Sequence, residues 1–195
     1  MVTREKYEII KEKYGVHSSW AIWADEDSSS INKMSDLNIF DIESNKDLLN
    51  LLNPNIVFVG LNISGKTPTT FSNFHNSYND SKIRDAFKNT RFYGGYMTDI
   101  IKRYAESDSM KMISHLKNQE ALEEENIKTF QNELNELGGE NIEIVAFGNS
   151  TYEILHRNGF TEKYKVMRVP HYSARAFNNK EMYINVVKKI LNIEI

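Results

Sequence analysis

Ile56-Val57-Phe58-Val59-Gly60-Leu61-Asn62-Ile63-Ser64 is the stretch that decides the fold. Its first four residues are β-branched or aromatic and do not alternate with polar ones, the pattern of a strand buried on both faces. Glycine follows at once, which lets the backbone turn sharply or approach a ligand closely. The same arrangement returns near the other end, where Val166-Met167-Arg168-Val169 precedes Pro170-His171-Tyr172-Ser173-Ala174-Arg175. Open parallel α/β sheets bind ligands outside the carboxyl ends of their strands. Two polar loops at such ends can therefore face one cleft, although more than 100 residues separate them. Asn62 and His171 are the first candidates for a shared site.

Around these strands the pattern alternates. Tyr7, Ile10 and Tyr14 are spaced for one face of a helix over 4–14. The aromatic segment 18–24 reads as extended, 25–32 as a serine-rich surface loop, and 45–52 as a short helix stopped by Pro54. Residues 61–79 form a long irregular stretch, of a kind that in compact domains is usually functional or disordered. Its Phe71, Phe74, His75 and Tyr78 argue against disorder. Helices are expected over 81–89, 109–137 (one or two, closed by Gly138-Gly139), 150–158 and 180–191, with strands over 95–101, 142–147 and 164–169. Strands alternating with helices predict a parallel sheet covered on both faces. We read 1–195 as a single domain, with 1–54 as a helical and aromatic extension packed on it.

Composition narrows the class. The 195 residues can bury about 70% of the surface of the unfolded chain. Hydrophobic residues make up 40% and charged residues 26%, as in a soluble globular domain. There is no cysteine, so disulfides and thiolate metal sites are excluded, and a cytoplasmic location is expected. Residues 1–14 lack the apolar core of a signal peptide, and no run approaches the ~20 apolar residues of a membrane helix. The net charge of -3 argues against tight non-specific binding of nucleic acid but leaves room for a local basic cleft.

Each candidate side chain has a plainer alternative. The Asn62 amide can hold a water, or it can close an Asx turn. His171 can donate to charge developing on a leaving group or simply stand solvated in its loop. Ser173 and Arg175 suit a phosphate. Phe71 and Phe74 can stack on a base, worth about 1–3 kcal/mol, or anchor their loop. Asp99, near the end of 95–101, can point into the cleft or cap the following helix. Gly148-Asn149-Ser150 reads as a tight strand-to-helix turn whose exposed amides also suit an anion. Gly65-Lys66-Thr67 lacks the earlier glycine of a phosphate-binding P-loop, and the histidines have no metal-ligand spacing.

Taken together, Gly60-Leu61-Asn62 after the first strand and His171-x-Ser173 after the last resemble the uracil-DNA glycosylase superfamily. Its motifs take forms such as Gly-x-Asn-Pro and His-Pro-Ser-Pro. The likeness runs from about Ile56 to Leu191, with Ile63 and Tyr172 standing where the family carries proline, and Asp99 where uracil-specific members carry Asn. It implies a three-layer α/β/α sandwich with a four-stranded parallel sheet in the order 2-1-3-4. It implies that Asn62 positions the attacking water and His171 stabilises the departing base. Phe74, twelve residues after Asn62, or Phe71, nine after it, would stack on the base. Asp99 would read the base edge, with preference for an amino group. Gly60 and Leu61 would line the pocket, and Ser173 and Arg175 would hold the backbone phosphate. No metal or cofactor is implied.

The expected function is therefore hydrolysis of an N-glycosidic bond in damaged or deaminated DNA, by a monomer that needs no membrane. A nucleotide- or nucleic-acid-binding protein without activity is the rival reading. A partner-binding protein using the charged stretch 120–136 is a third, although such stretches are more often solvated helix faces.

Overall fold

The run 56–59 becomes the middle of strand β2 (Asn53–Asn62) in a computed structural model that describes residues 2–24, 35–63, 69–75, 77–102 and 104–194. β2 pairs in parallel with β3 (Gly95–Ile101) on one side and with β4 (Glu143–Phe147) on the other. β5 (Lys165–Val169) pairs in parallel with β4. A short strand, β1 (Ser18–Trp20), lies antiparallel on β3, which makes the order β1-β3-β2-β4-β5.

Two expectations are corrected here. The sheet is five-stranded and mixed, not four-stranded and wholly parallel. Part of the N-terminal segment belongs to the sheet instead of only packing on it. The reason is legible afterwards: β1 is three residues long and buried throughout, too short to show any periodicity. The loop expected over 25–32 and the Gly65-Lys66-Thr67 stretch lie outside the described residues.

The helices are α1 (Arg4–Tyr14), α2 (Leu48–Leu51), α3 (Asp80–Phe87), α4 (Ser109–Asn118), α5 (Glu120–Leu137), α6 (Asn149–Arg157), α7 (Phe160–Lys163) and α8 (Lys180–Ile190). Alternate residues of β2 point to opposite faces of the sheet. Val57, Val59 and Leu61 join one apolar cluster with Tyr7 and Ile10 of α1, Phe130 of α5 and Ile154 of α6. Ile56 and Phe58 join another with Ile83 and Phe87 of α3 and Tyr183 and Val187 of α8. Helices thus cover both faces, and each large side chain buried between layers contributes about 1.5–3 kcal/mol.

Helix ends follow local chemistry. Thr3 accepts from the Lys6 amide at the start of α1, and Asp108 accepts from the amides of Met110 and Lys111 at the start of α4. Gly138 ends α5 in the left-handed conformation.

A buried polar network fixes α5 against the carboxyl end of β3. Glu133 accepts from the Tyr96 hydroxyl at 2.5 Å and the Thr98 hydroxyl at 2.9 Å, and pairs with Lys102 at 2.7 Å. Lys102 also donates to the backbone carbonyl of Asp99. No helix among the described residues is long and apolar enough to cross a membrane.

Candidate functional site

The carboxyl ends of all four parallel strands open into one cleft of about 890 Å³. Leu61 and Asn62 reach it from β2, Asp99 from β3, Phe147 from β4, and His171 from the loop after β5. One wall comes from Asn73, Phe74 and Asp80, where the chain enters α3. Another comes from Glu106 and Asp108, ahead of α4. Ser173 and Arg175 also line it. The strand order thus brings together Asn62, Phe74, Asp99 and His171.

Gly60-Leu61-Asn62 ends the strand instead of following it, because Gly60 pairs with Asp99 and Asn62 with Ile101 across β2 and β3. That register sets the chemistry of the floor. Asp99 Oδ1 occupies the place where a Cβ on Gly60 would stand, so only glycine leaves room for the carboxylate. Asp99 is 3% exposed, and Asn73 Nδ2 donates to its Oδ2 at 2.9 Å. Burial raises its pKa to about 6, against the opposing pull of the Asn73 hydrogen bond and the Lys102 charge. The helix-cap alternative for Asp99 falls, since the residue lies inside β3.

The Asn62 amide nitrogen donates to the carbonyls of Ile63, Tyr104 and Glu106 at 3.0, 3.3 and 2.7 Å. It ties the end of β2 to the segment that follows β3. Its donors are therefore engaged, and Oδ1 is the atom left to accept from a water.

His171 stands against Gly148, whose φ of 86° is a conformation suited to glycine and whose added Cβ would meet His171 Cβ at 3.4 Å. Its Nδ1 accepts from the Ser173 backbone N–H at 3.2 Å and meets the Ser173 hydroxyl at 2.8 Å. The N–H contact assigns the proton to Nε2. Burial lowers the pKa of the ring to about 4, so at neutral pH it is an uncharged donor. Ser173 therefore orients the histidine, a role different from the phosphate contact expected of it.

The loop itself is held from below. Lys82, only 2% exposed, donates to the carbonyls of Tyr172 and Phe177 at 2.9 and 2.8 Å. Tyr172 stacks on His171 at 4.4 Å and meets Phe147 and Phe74 edge-on at 5.3 and 6.3 Å. Desolvation pushes its hydroxyl pKa up, helped by the negative charges of Asp80 and Asp99.

Phe74 and Phe71 both adopt positive φ, 66° and 60°, a strained conformation for aromatic residues. The two rings part company there. Phe74 lines the cleft. Phe71 packs in the core against Tyr7 and Phe40, at 5.7 and 5.3 Å, and does not line the cleft, which corrects its expected role. Gly60 shapes the floor through Asp99 without lining the cleft itself.

Sequence reasoning missed Asp80, Lys82, Asn73 and Phe147. Phe147 had a usable signal, since it closes a strand whose carboxyl end faces the cleft. The other three sit in or beside α3, where nothing in the pattern points to a ligand. Among the described lining residues the carboxylates are Asp80, Asp99, Glu106 and Asp108, and the one permanent cation is Arg175. No group of three or more metal-ligating side chains is found among the described residues.

Fold and site together define an α/β domain with a ligand cleft at the carboxyl ends of its parallel strands. Comparison with known proteins finds no matching family model, no similar curated protein and no similar solved structure.

Proposed function

We propose that the chain hydrolyses the N-glycosidic bond of a damaged or deaminated base, by the chemistry expected of a uracil-DNA glycosylase-like protein. The observation that carries the reading is the uncharged His171, its Nδ1 engaged by Ser173, in the same cleft as Asn62, Phe74 and Asp99. A base entering the cleft stacks on Phe74 and presents its edge to Asp99. His171 Nε2–H donates to the base as the bond to the sugar breaks, a contribution typically worth ~10²–10³-fold in rate. Asn62 Oδ1 accepts from the attacking water. Extruding a base from DNA into such a pocket costs a few kcal/mol, least for a mispaired or damaged base.

A second reading, nucleotide binding without hydrolysis, is favoured by one observation. The Asn62 amide already ties the end of β2 to the segment after β3, which is sufficient reason for its presence. Base release measured over oligonucleotides carrying single modified bases separates the two. Release that falls in His171→Ala supports hydrolysis, whereas binding with no release of any base supports the second reading.

A further inference from the structure

We propose that the base taken by this cleft carries a positive charge, as an N-alkylated purine or pyrimidine does. The inference deepens the glycosidic reading and rests on it. Asp80 and Asp99 are each 3% exposed and still reach the cleft, and Glu106 and Asp108 add two carboxylates to its lining. Asp99 accepts through Oδ2 from Asn73, while its Oδ1 takes no donor from the described residues. A buried carboxylate with one oxygen unengaged calls for a donor from the ligand, and a cationic ring supplies one with charge. The walls agree in kind, because three of the lining residues, Phe74, Phe147 and Tyr172, are aromatic, and aromatic rings attract cations.

The direction of charge flow agrees too. A neutral base such as uracil leaves as an anion, which an ionised Asp99 at the cleft floor opposes. A cationic base leaves neutral. Water oxygen bonds to C1′, the electron pair of the C1′–N bond moves into the base and cancels its charge, and the proton from water passes to solvent. No acid is needed. That suits His171, which holds only its Nε2 proton near neutral pH.

The probes are 1-methyladenosine and 3-methylcytidine, both cations at neutral pH, against adenosine, cytidine and uridine. Binding is measured by titration calorimetry at pH 7.5. The methylated nucleosides should bind about 10- to 100-fold tighter, the range of one charge-assisted hydrogen bond. Asp99→Asn, shown folded by its unfolding transition, should remove most of that preference. In the wild type the preference should shrink as pH falls through about 6, where Asp99 gains its proton.

Release of the same bases from nucleoside and from single-stranded oligonucleotide tells which source the cleft serves; either supports the inference. Equal or weaker binding of the methylated forms would overturn it, as would a preference that survives Asp99→Asn. Uracil release with no preference for charge would overturn it and leave the hydrolysis standing. Tight, Asp99-dependent binding without release would sustain it and remove the hydrolysis.

Discussion

Asp99→Asn should make the protein more stable at neutral pH, even though it damages the site. Asp99 is 3% exposed, and burial lifts its pKa from the usual 3.8 to about 6. Each tenfold change in proton affinity is worth about 1.4 kcal/mol. The ionised carboxylate at pH 7.5 therefore costs the fold up to about 3 kcal/mol, and the neutral amide of Asn avoids that cost. The sign follows from proton binding. The folded state holds the Asp99 proton more tightly than the unfolded chain does, so stability falls as pH rises from about 4 to about 6. The gain from the substitution should be near its full size at pH 7.5 and small at pH 4. Urea unfolding of both proteins at pH 4, 5, 6 and 7.5 measures this, with the difference at each pH cancelling the other titrating groups. A difference that does not change with pH would refute the reasoning. So would a variant less stable than wild type at pH 7.5 and equal to it at pH 4.

Other outcomes follow from the same geometry. His171→Ala should slow base release by ~10²–10³-fold while leaving the urea midpoint nearly unchanged, since the side chain is on a loop; full activity in a folded variant would exclude its role. Lys82→Met removes the donor to the Tyr172 and Phe177 carbonyls. Amide hydrogen exchange over 171–177 should accelerate and kcat should fall, and unchanged exchange would show that the loop holds itself. Gly60→Ala places a methyl group on Asp99 Oδ1; it should weaken ligand binding about as much as Asp99→Asn does, and binding equal to wild type would contradict the register argument.

The strands at 56 and 142 were legible because a strand buried on both faces must be apolar, which leaves the unbroken runs 56–59 and 144–147. β3, with Thr98 and Asp99, and the partly exposed β5, with Lys165 and Arg168, showed only as short apolar-rich stretches between helices. Asn62 and His171 were legible because each comes just after a strand-like stretch of sequence. β1 was not, since three buried residues whose first two are serines carry no pattern. The divergence of Phe71 from Phe74 was hidden as well. Both are phenylalanines with positive φ in one irregular segment, and only the tertiary fold sends Phe71 to the Tyr7 side of the sheet and Phe74 to the Phe147 side. The tie between Asp99 and Gly60 depends on register, which a sequence does not print. The engagement of the Asn62 amide by the Glu106 carbonyl spans 44 residues, and backbone acceptors leave no trace in side-chain identity. Lys82 reads as an ordinary helix lysine until the fold buries it beneath the His171 loop.

The most direct test of the central claim is base release by wild-type protein and His171→Ala, followed by chromatography over a panel of oligonucleotides and nucleosides carrying alkylated and deaminated bases. Release of at least one modified base by the wild type, lowered by two orders of magnitude or more in His171→Ala, is the predicted result. A folded wild-type protein that releases no base from any member of the panel would contradict it.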